Sequence, residues 1–509
     1  MGYSTETDIV STADPAVSRA QATRSWRWLR LAVSFPALMA VLLIAVALIG
    51  AESRLIDPDT WWHVAVGEQI LKTHTWPTSD TFSFTARGAH WIAYEWLGEV
   101  FLALPAQADG LVGLAWFQKA IVAVIGLLIY LYSYLVCGNS KAACIASGVV
   151  LPLAPVTFTL RPQMFGYIFL LLTLICLQRF RQGHEKALWF LPPLFVIWAN
   201  THGTFVFGLF VIGVCWITGL FSFRAGGLIA QKMPQPQRVK LLLTLMFCVL
   251  ALLITPYGSQ IAANPFEMAT AQPLNIANIQ EWQPLSAFPA GTYVLVFAIA
   301  LFLAQIVLRP SYKLEEIVLL MFALYAAVTH LRFAMIFVLF VAPVVATILA
   351  RWVPPYDPAK DKLLLNVAII ALVLVALIKL RPSERGLENI VSTVYPVHAV
   401  EYLRQHPQPI GMFNDYGFGG YLILNLPAQP VFIDGRADLY EYSGVFPDYM
   451  AAIVGQAPAM NILARHDIRT CLLYQNSALG ALLAQSPDWK RVYTDELSVI
   501  FMRSGHSRP

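Results

Sequence analysis

Long apolar stretches recur along this chain, each close to the length that a helix needs to cross a hydrocarbon core. They predict spans at about 31–50, 111–136, 142–160, 164–179, 187–200, 204–222, 241–255, 292–308, 314–330, 333–350 and 364–380. The segment at about 95–108 is shorter and carries Glu95 and Glu99, so it reads as a surface or partial span. After about residue 390 the pattern changes to short apolar runs. Pro430–Ile433, Thr470–Tyr474 and Ser498–Phe501 read as strands, with helical periodicity around 397–405, 445–455, 458–466 and 478–485 between them. The expected fold class is a polytopic α-helical membrane protein of about 11 transmembrane helices with a C-terminal α/β soluble domain. Its organisation would be a tail over 1–30, a multi-span domain over 31–380, and an α/β domain over 390–509 with a mainly parallel sheet.

Composition supports this class. Of the 509 residues 58% are hydrophobic and 13% charged, and the mean hydropathy is +0.61, far from a soluble chain of this length. The net charge of +4 suggests no nucleic-acid partner. Its distribution is more telling. Alternate loops hold seventeen Lys and Arg, whereas the opposite set before the C-terminal domain holds only Arg54, Lys72, Arg87, Arg161 and Arg332. That bias predicts a cytoplasmic N-terminus, and eleven spans then place the C-terminal domain outside the cytoplasm. The first apolar run has no cleavage site after it and reads as an anchor. Five of the six cysteines lie in or beside apolar runs and only Cys471 falls in the C-terminal domain, so neither a disulfide framework nor a zinc site is expected.

The unusual polar residues cluster on the extracytoplasmic side, in long outer loops at about 51–95 and 256–291. The first contains Asp57-Pro58-Asp59-Thr60-Trp61-Trp62-His63. A carboxylate pair there suits a divalent cation or an incoming nucleophile, and the indoles suit either a sugar or the headgroup level. The second, which has no Lys or Arg, holds Glu281 within Asn278-Ile279-Gln280-Glu281-Trp282-Gln283-Pro284. Arg332 opens a late span, where a guanidinium suits a diphosphate; Arg161 and His202 join two further span ends on that face. Each of these also has an ordinary reading as a solvated loop or snorkelling residue. Met412–Tyr421 opens the soluble domain with Asn414, Asp415, Tyr416 and three glycines, which permit a tight turn at a strand end. Gly417-Phe418-Gly419-Gly420 falls short of the dinucleotide fingerprint.

In order and topology these elements resemble the catalytic subunit of the oligosaccharyltransferases, of the GT-C class of membrane glycosyltransferases. Asp57-Pro58-Asp59 looks like that family's first acidic motif and the Glu281 segment like its later glutamate motif. Leu331-Arg332-Phe333 matches its phosphate-contacting arginine, and Phe413-Asn414-Asp415-Tyr416-Gly417 is similar to WWDYG. The sequence departs from the family at Arg161–Tyr167, where a second acidic pair is missing, and at Phe413 and Asn414, where the motif has tryptophans. These departures favour the broader class over peptide glycosylation.

The resemblance implies an inverting transferase of an integral membrane protein, here of a bacterial inner (cell) membrane. It would take a sugar from a polyprenyl phosphate or diphosphate and pass it to a peptide, lipid or polysaccharide acceptor. Asp57, Asp59 and Glu281 would be catalytic or hold Mg or Mn. Arg332, Arg161 and His202 would bind donor phosphate; Trp61, Trp62, His63, Asn414, Asp415 and Tyr416 would bind acceptor or sugar. A transporter or flippase of a lipid-linked or polar solute, and a non-catalytic GT-C-like assembly protein, are the alternatives. A shared site requires Asp57, Asp59, Glu281 and Arg332 to line one cavity, overhung by the 414–416 turn.

Overall fold

The computed structural model describes residues 30–50, 55–153, 158–308, 311–379, 382–456 and 458–504. The expected N-terminal tail lies outside these except for Arg30, as do parts of the spans expected over 142–160 and 364–380.

Each of the eleven apolar segments contains a helix. In chain order the membrane part comprises α1 (Phe35–Gly50), α2 (Asp59–Thr73), α3 (Trp96–Cys137), α4 (Ser140–Val150), α5 (Gln163–Arg181), α6 (Leu191–Ala199), α7 (Phe205–Thr218) and α8 (Gln235–Ala251). It continues with α9 (Gln260–Thr270), α10 (Pro273–Asn278), α11 (Pro289–Leu308), α12 (Leu314–Thr329), α13 (Ala334–Leu349) and α14 (Leu363–Lys379). Among the described residues three helices are long and apolar enough to cross a membrane: Trp96–Cys137, Gln163–Arg181 and Leu331–Leu349. The chain is thus an integral membrane protein. The 95–108 segment is the first part of α3, broken from the rest by non-helical backbone at Asp109 and Gly110. α13 is buried almost throughout, as expected for a helix apolar on every face at the centre of a bundle.

A small three-stranded sheet packs against α12. It is formed by β1 (Phe223–Ala225), β2 (Leu228–Ala230) and β3 (Tyr312–Lys313).

The C-terminal region contains α15 (Glu384–Ser392), α16 (Val397–Gln405), β4 (Met412–Asn414), α17 (Tyr416–Asn425), α18 (Ala437–Tyr442), α19 (Val445–Ile453), α20 (Pro458–Arg465), β5 (Thr470–Tyr474), α21 (Ala478–Gln485), β6 (Trp489–Thr494) and β7 (Ser498–Arg503). Its sheet order is β4-β5-β7-β6. Only the β4–β5 pair is parallel, which corrects the expected mainly parallel sheet. β6 and β7 are joined by too few residues for a crossover and so form a hairpin, with Asp495 accepting from the Leu497 and Ser498 amides in the turn.

Two further expectations are corrected. Pro430–Ile433 is not a strand of this sheet: Val431 pairs instead with Ser83 of the 51–95 segment, exchanging backbone hydrogen bonds with Phe82 and Phe84 (both 3.1 Å). The glycines after Asp415 do not make a tight turn either. Asp415 caps α17 by accepting from the Gly417 amide, and the glycines lie inside that helix. They allow close approach: a Cβ on Gly420 would sit 2.2 Å from the Pro58 carbonyl oxygen at the start of α2. The C-terminal domain is thereby seated on the segment that opens α2. Glu441 also accepts the Leu274 and Asn275 amides at 2.9 and 2.8 Å, tying α18 to α10 in the second loop.

Candidate functional site

Asp57-Pro58-Asp59 leads into α2, with Pro58 at its N-cap and the Asp57 carboxylate accepting the Asp59 amide at 3.0 Å. Negative side chains are favoured at a helix N-terminus by its unpaired N–H groups and dipole. Thr60 donates to the Leu160 carbonyl at 2.9 Å and so pins the segment bearing Arg161 beside this turn. On the other side, the Leu331 amide donates to the Gln283 carbonyl at 3.0 Å. That bond holds the 280–282 turn against the 331–333 turn, with the Arg332 guanidinium over the Trp282 ring at 4.2 Å.

Three carboxylates from these loops converge on one guanidinium. Arg161 Nε donates to both Asp57 oxygens at 2.8 Å. Its remaining nitrogens meet Asp59 Oδ2 at 3.0 Å and Glu281 Oε2 at 2.8 Å. Arg332 takes the other Glu281 oxygen at 3.3 Å, and Trp62 Nε1 donates to Asp59 Oδ1 at 3.1 Å. Behind them, His202 Nε2 lies 3.3 Å from Glu95 Oε1. His63 spans Glu95 (3.7 Å) and Glu99 (3.2 Å).

A cavity of about 80 Å³ opens between these groups, walled by Asp59, Trp62, His63, Glu95, Arg161, His202, Glu281 and Arg332, and roofed by Tyr416 and Gly435–Asp438 of the C-terminal domain. Gly435 is required there: a Cβ would lie 1.7 Å from Asp59 Oδ1. Tyr416 donates to the Gly435 carbonyl at 3.2 Å and stiffens the roof. A larger cavity, about 950 Å³, lies between α1, the end of α3 and residues 355–363 and contains none of the candidate residues.

Burial dominates the electrostatics. It lifts Asp59 to about 7, with Arg161 pulling the other way and Asp57 and Glu281 adding to the rise. It lifts Glu95 to about 8 against Arg332 and Arg161, and it lowers His202 to about 3 with the help of Arg332. For Glu281 burial also pushes upward, but Arg332 and Arg161 together outweigh it and the carboxyl ends below its ordinary value. The site thus sets two carboxyls raised by burial, Asp59 and Glu95, beside one, Glu281, that its arginines hold below the ordinary value.

Of the residues singled out from sequence, Asp59, Glu281, Arg332, Arg161, His202, Trp62, His63 and Tyr416 line this cavity, and Asp57 braces it from beneath through Arg161. Three are turned elsewhere. Trp61 is 2% exposed and packs edge-on against Tyr395 and Tyr421, so it anchors the C-terminal domain and has no free face for a sugar. Asn414 is fully buried, bonding the Phe432 amide and the Ile433 carbonyl at 2.8 Å. Asp415 serves as the α17 cap. Sequence reasoning did not assign Glu95, Tyr94, Gln163, Arg436 and Asp438 to the site, although they also line the cavity. Glu95 had a readable signal, an acid at the start of an apolar run.

The carboxylates do not fit a divalent cation as they stand. Metal–oxygen bonds of about 2.0–2.6 Å would need the point on which Asp57, Asp59 and Glu281 converge, and Arg161 fills it. Among the described residues no group of three or more His, Cys, Asp or Glu is arranged to hold a metal ion.

No family model matches the sequence, and no curated protein matches it significantly. Solved structures do. The chain is similar to the oligosaccharyltransferase of Archaeoglobus fulgidus tethered to an acceptor peptide containing the NVT sequon, with a TM-score of 0.54 and 10% identity over 86% of this chain and 68% of that one. It is also similar to the oligosaccharyltransferase AglB of the same organism in complex with an inhibitory peptide and a dolichol-phosphate, with a TM-score of 0.51 and 10% identity over 86% and 69% of the two chains. The fold is therefore that of the archaeal oligosaccharyltransferases, the GT-C architecture that the order of motifs resembles.

Proposed function

We propose that this protein is a membrane glycosyltransferase that moves a sugar or glycan from a polyprenyl phosphate or diphosphate to an acceptor on the extracytoplasmic face. One observation carries the reading: a carboxyl poised near neutrality, Asp59, and a cationic group, Arg332, face one cavity and are linked through Glu281 and Arg161. The fold adds support, because its solved neighbours were captured with an acceptor peptide and with a dolichol-phosphate.

In this mechanism Asp59 removes the proton from an acceptor hydroxyl or amide as that group attacks the anomeric carbon. The bond from that carbon to the carrier oxygen breaks, and its electron pair leaves on the phosphate with inversion at carbon. Arg332, with His202 beside it, faces the developing phosphate charge. Arg161 and Asp57 hold Asp59 and Glu281 in place, while Trp62, His63 and Tyr416 shape the acceptor side. The site would lie outside the cell membrane of a bacterium, on a domain of about eleven spans over 31–380 with a cytoplasmic N-terminus and an outer domain over 390–509.

The test uses three variants in cells. Asp59→Ala, Glu281→Ala and Arg332→Ala should each abolish a glycan product that the wild-type gene supports, at equal protein level. Normal glycans in all three would overturn the catalytic reading.

A further inference from the structure

We propose that Arg161 is the resident cation of this site, occupying the place between Asp57, Asp59 and Glu281 that a divalent metal would otherwise take. This names a component of the transferase site proposed above, although its test does not depend on that activity.

All three nitrogens of the guanidinium are engaged by the three carboxylates, at 2.8 to 3.0 Å. Its planar fork matches carboxylate geometry and stays charged at every relevant pH. Around the convergence point only Asp59 Oδ1 escapes an arginine, and it accepts from Trp62 instead. The oxygens that would have to turn inward as metal ligands are therefore already committed. The chain locks this arrangement in place: Leu160 is held to α2 by Thr60, and Pro162 follows Arg161 directly to begin α5. The arginine is only 20% exposed, so water cannot readily replace its partners. A guanidinium at this point balances the acidic cluster without an exchangeable ion. Transfer by this protein would then be insensitive to chelators.

The experiment is a Mn²⁺ titration of the full-length protein in detergent, followed by the electron paramagnetic resonance signal of free Mn²⁺. Wild-type protein should leave the signal unchanged. Arg161→Ala, which empties the place between the three carboxylates, should remove one equivalent of Mn²⁺, and adding Asp59→Asn and Glu281→Gln to it should restore the signal. If Arg161→Ala aggregates, Arg161→Gln serves in its place. Stoichiometric Mn²⁺ binding by the wild type that is lost in Asp59→Asn would overturn the proposal, as would absence of binding in wild type and arginine variants alike. Glycan transfer with and without EDTA separates this proposal from the one it rests on. No transfer in either condition, with the Mn²⁺ results as expected, brings down the transferase reading and leaves Arg161 as the cation.

Discussion

Arg436 joins the C-terminal domain to the 51–95 segment, and removing it should loosen the roof of the site. Its side chain is 1% exposed and its Nη1 lies 2.7 Å from Asp80 of that segment. On its own domain it grips Asp434 through Nε at 2.8 Å and Nη2 at 2.7 Å, with the guanidinium 4.8 Å from the Trp91 ring. Asp434 and Asp80 are both fully buried. Arg436→Met keeps much of the volume but leaves two buried carboxylates without their counter-charge. Breaking a buried pair in this way costs about 3–5 kcal/mol. For a domain of this size that corresponds to a fall in Tm of roughly 10–20 °C. Differential scanning fluorimetry of the detergent-purified protein reads the shift. The triple variant Asp80→Asn, Asp434→Asn, Arg436→Met should recover most of it, because the charges that needed pairing are gone. If Arg436→Met moves Tm by less than about 2 °C, or if the triple variant is no better than the single, the clamp is not what holds the two parts together.

Two further outcomes follow from the geometry. A base lifted to about 7 is protonated in acid and active when ionised, so transfer should rise about tenfold per pH unit below 7 and level off above it; a profile flat from acid to neutral pH would remove Asp59 from that role. Gly420→Ala places a Cβ against the backbone of Pro58 and should lower Tm by several degrees, while Gly213→Ala in α7, where nothing lies within 4 Å, should leave it unchanged or raise it; equal effects would show that the close approach of α17 to α2 carries no stability.

The helices of the eleven apolar runs, and α16, α19, α20 and α21 of the C-terminal domain, were legible in the sequence, because apolar periodicity is a local property; α2, α9 and α10 were not, since they lie in stretches that read as loops. Legible too was the gathering of Asp59, Glu281, Arg161, Arg332 and His202 at one face, where they line a single cavity. Charged and polar groups at the ends of apolar runs must gather where those runs meet water, and loop parity puts these on one side.

What the sequence could not decide is what each group faces. Trp61 and Trp62 are neighbours on α2, so they point about 100° apart. One lies against Tyr395 and Tyr421 of the C-terminal domain and the other against Asp59 in the cavity, and only the docking of that domain says which is which. Val431 looked like a sheet strand because its short apolar run is local, but its partner, Ser83, is in another part of the chain. The same holds for Arg161. In sequence it is a lone basic residue between two spans; only the fold brings it three carboxylates from separate loops and makes it the charge at the centre of the site. Propensity and hydropathy are sums over neighbours in sequence, whereas the pairing of buried charges depends on neighbours in space.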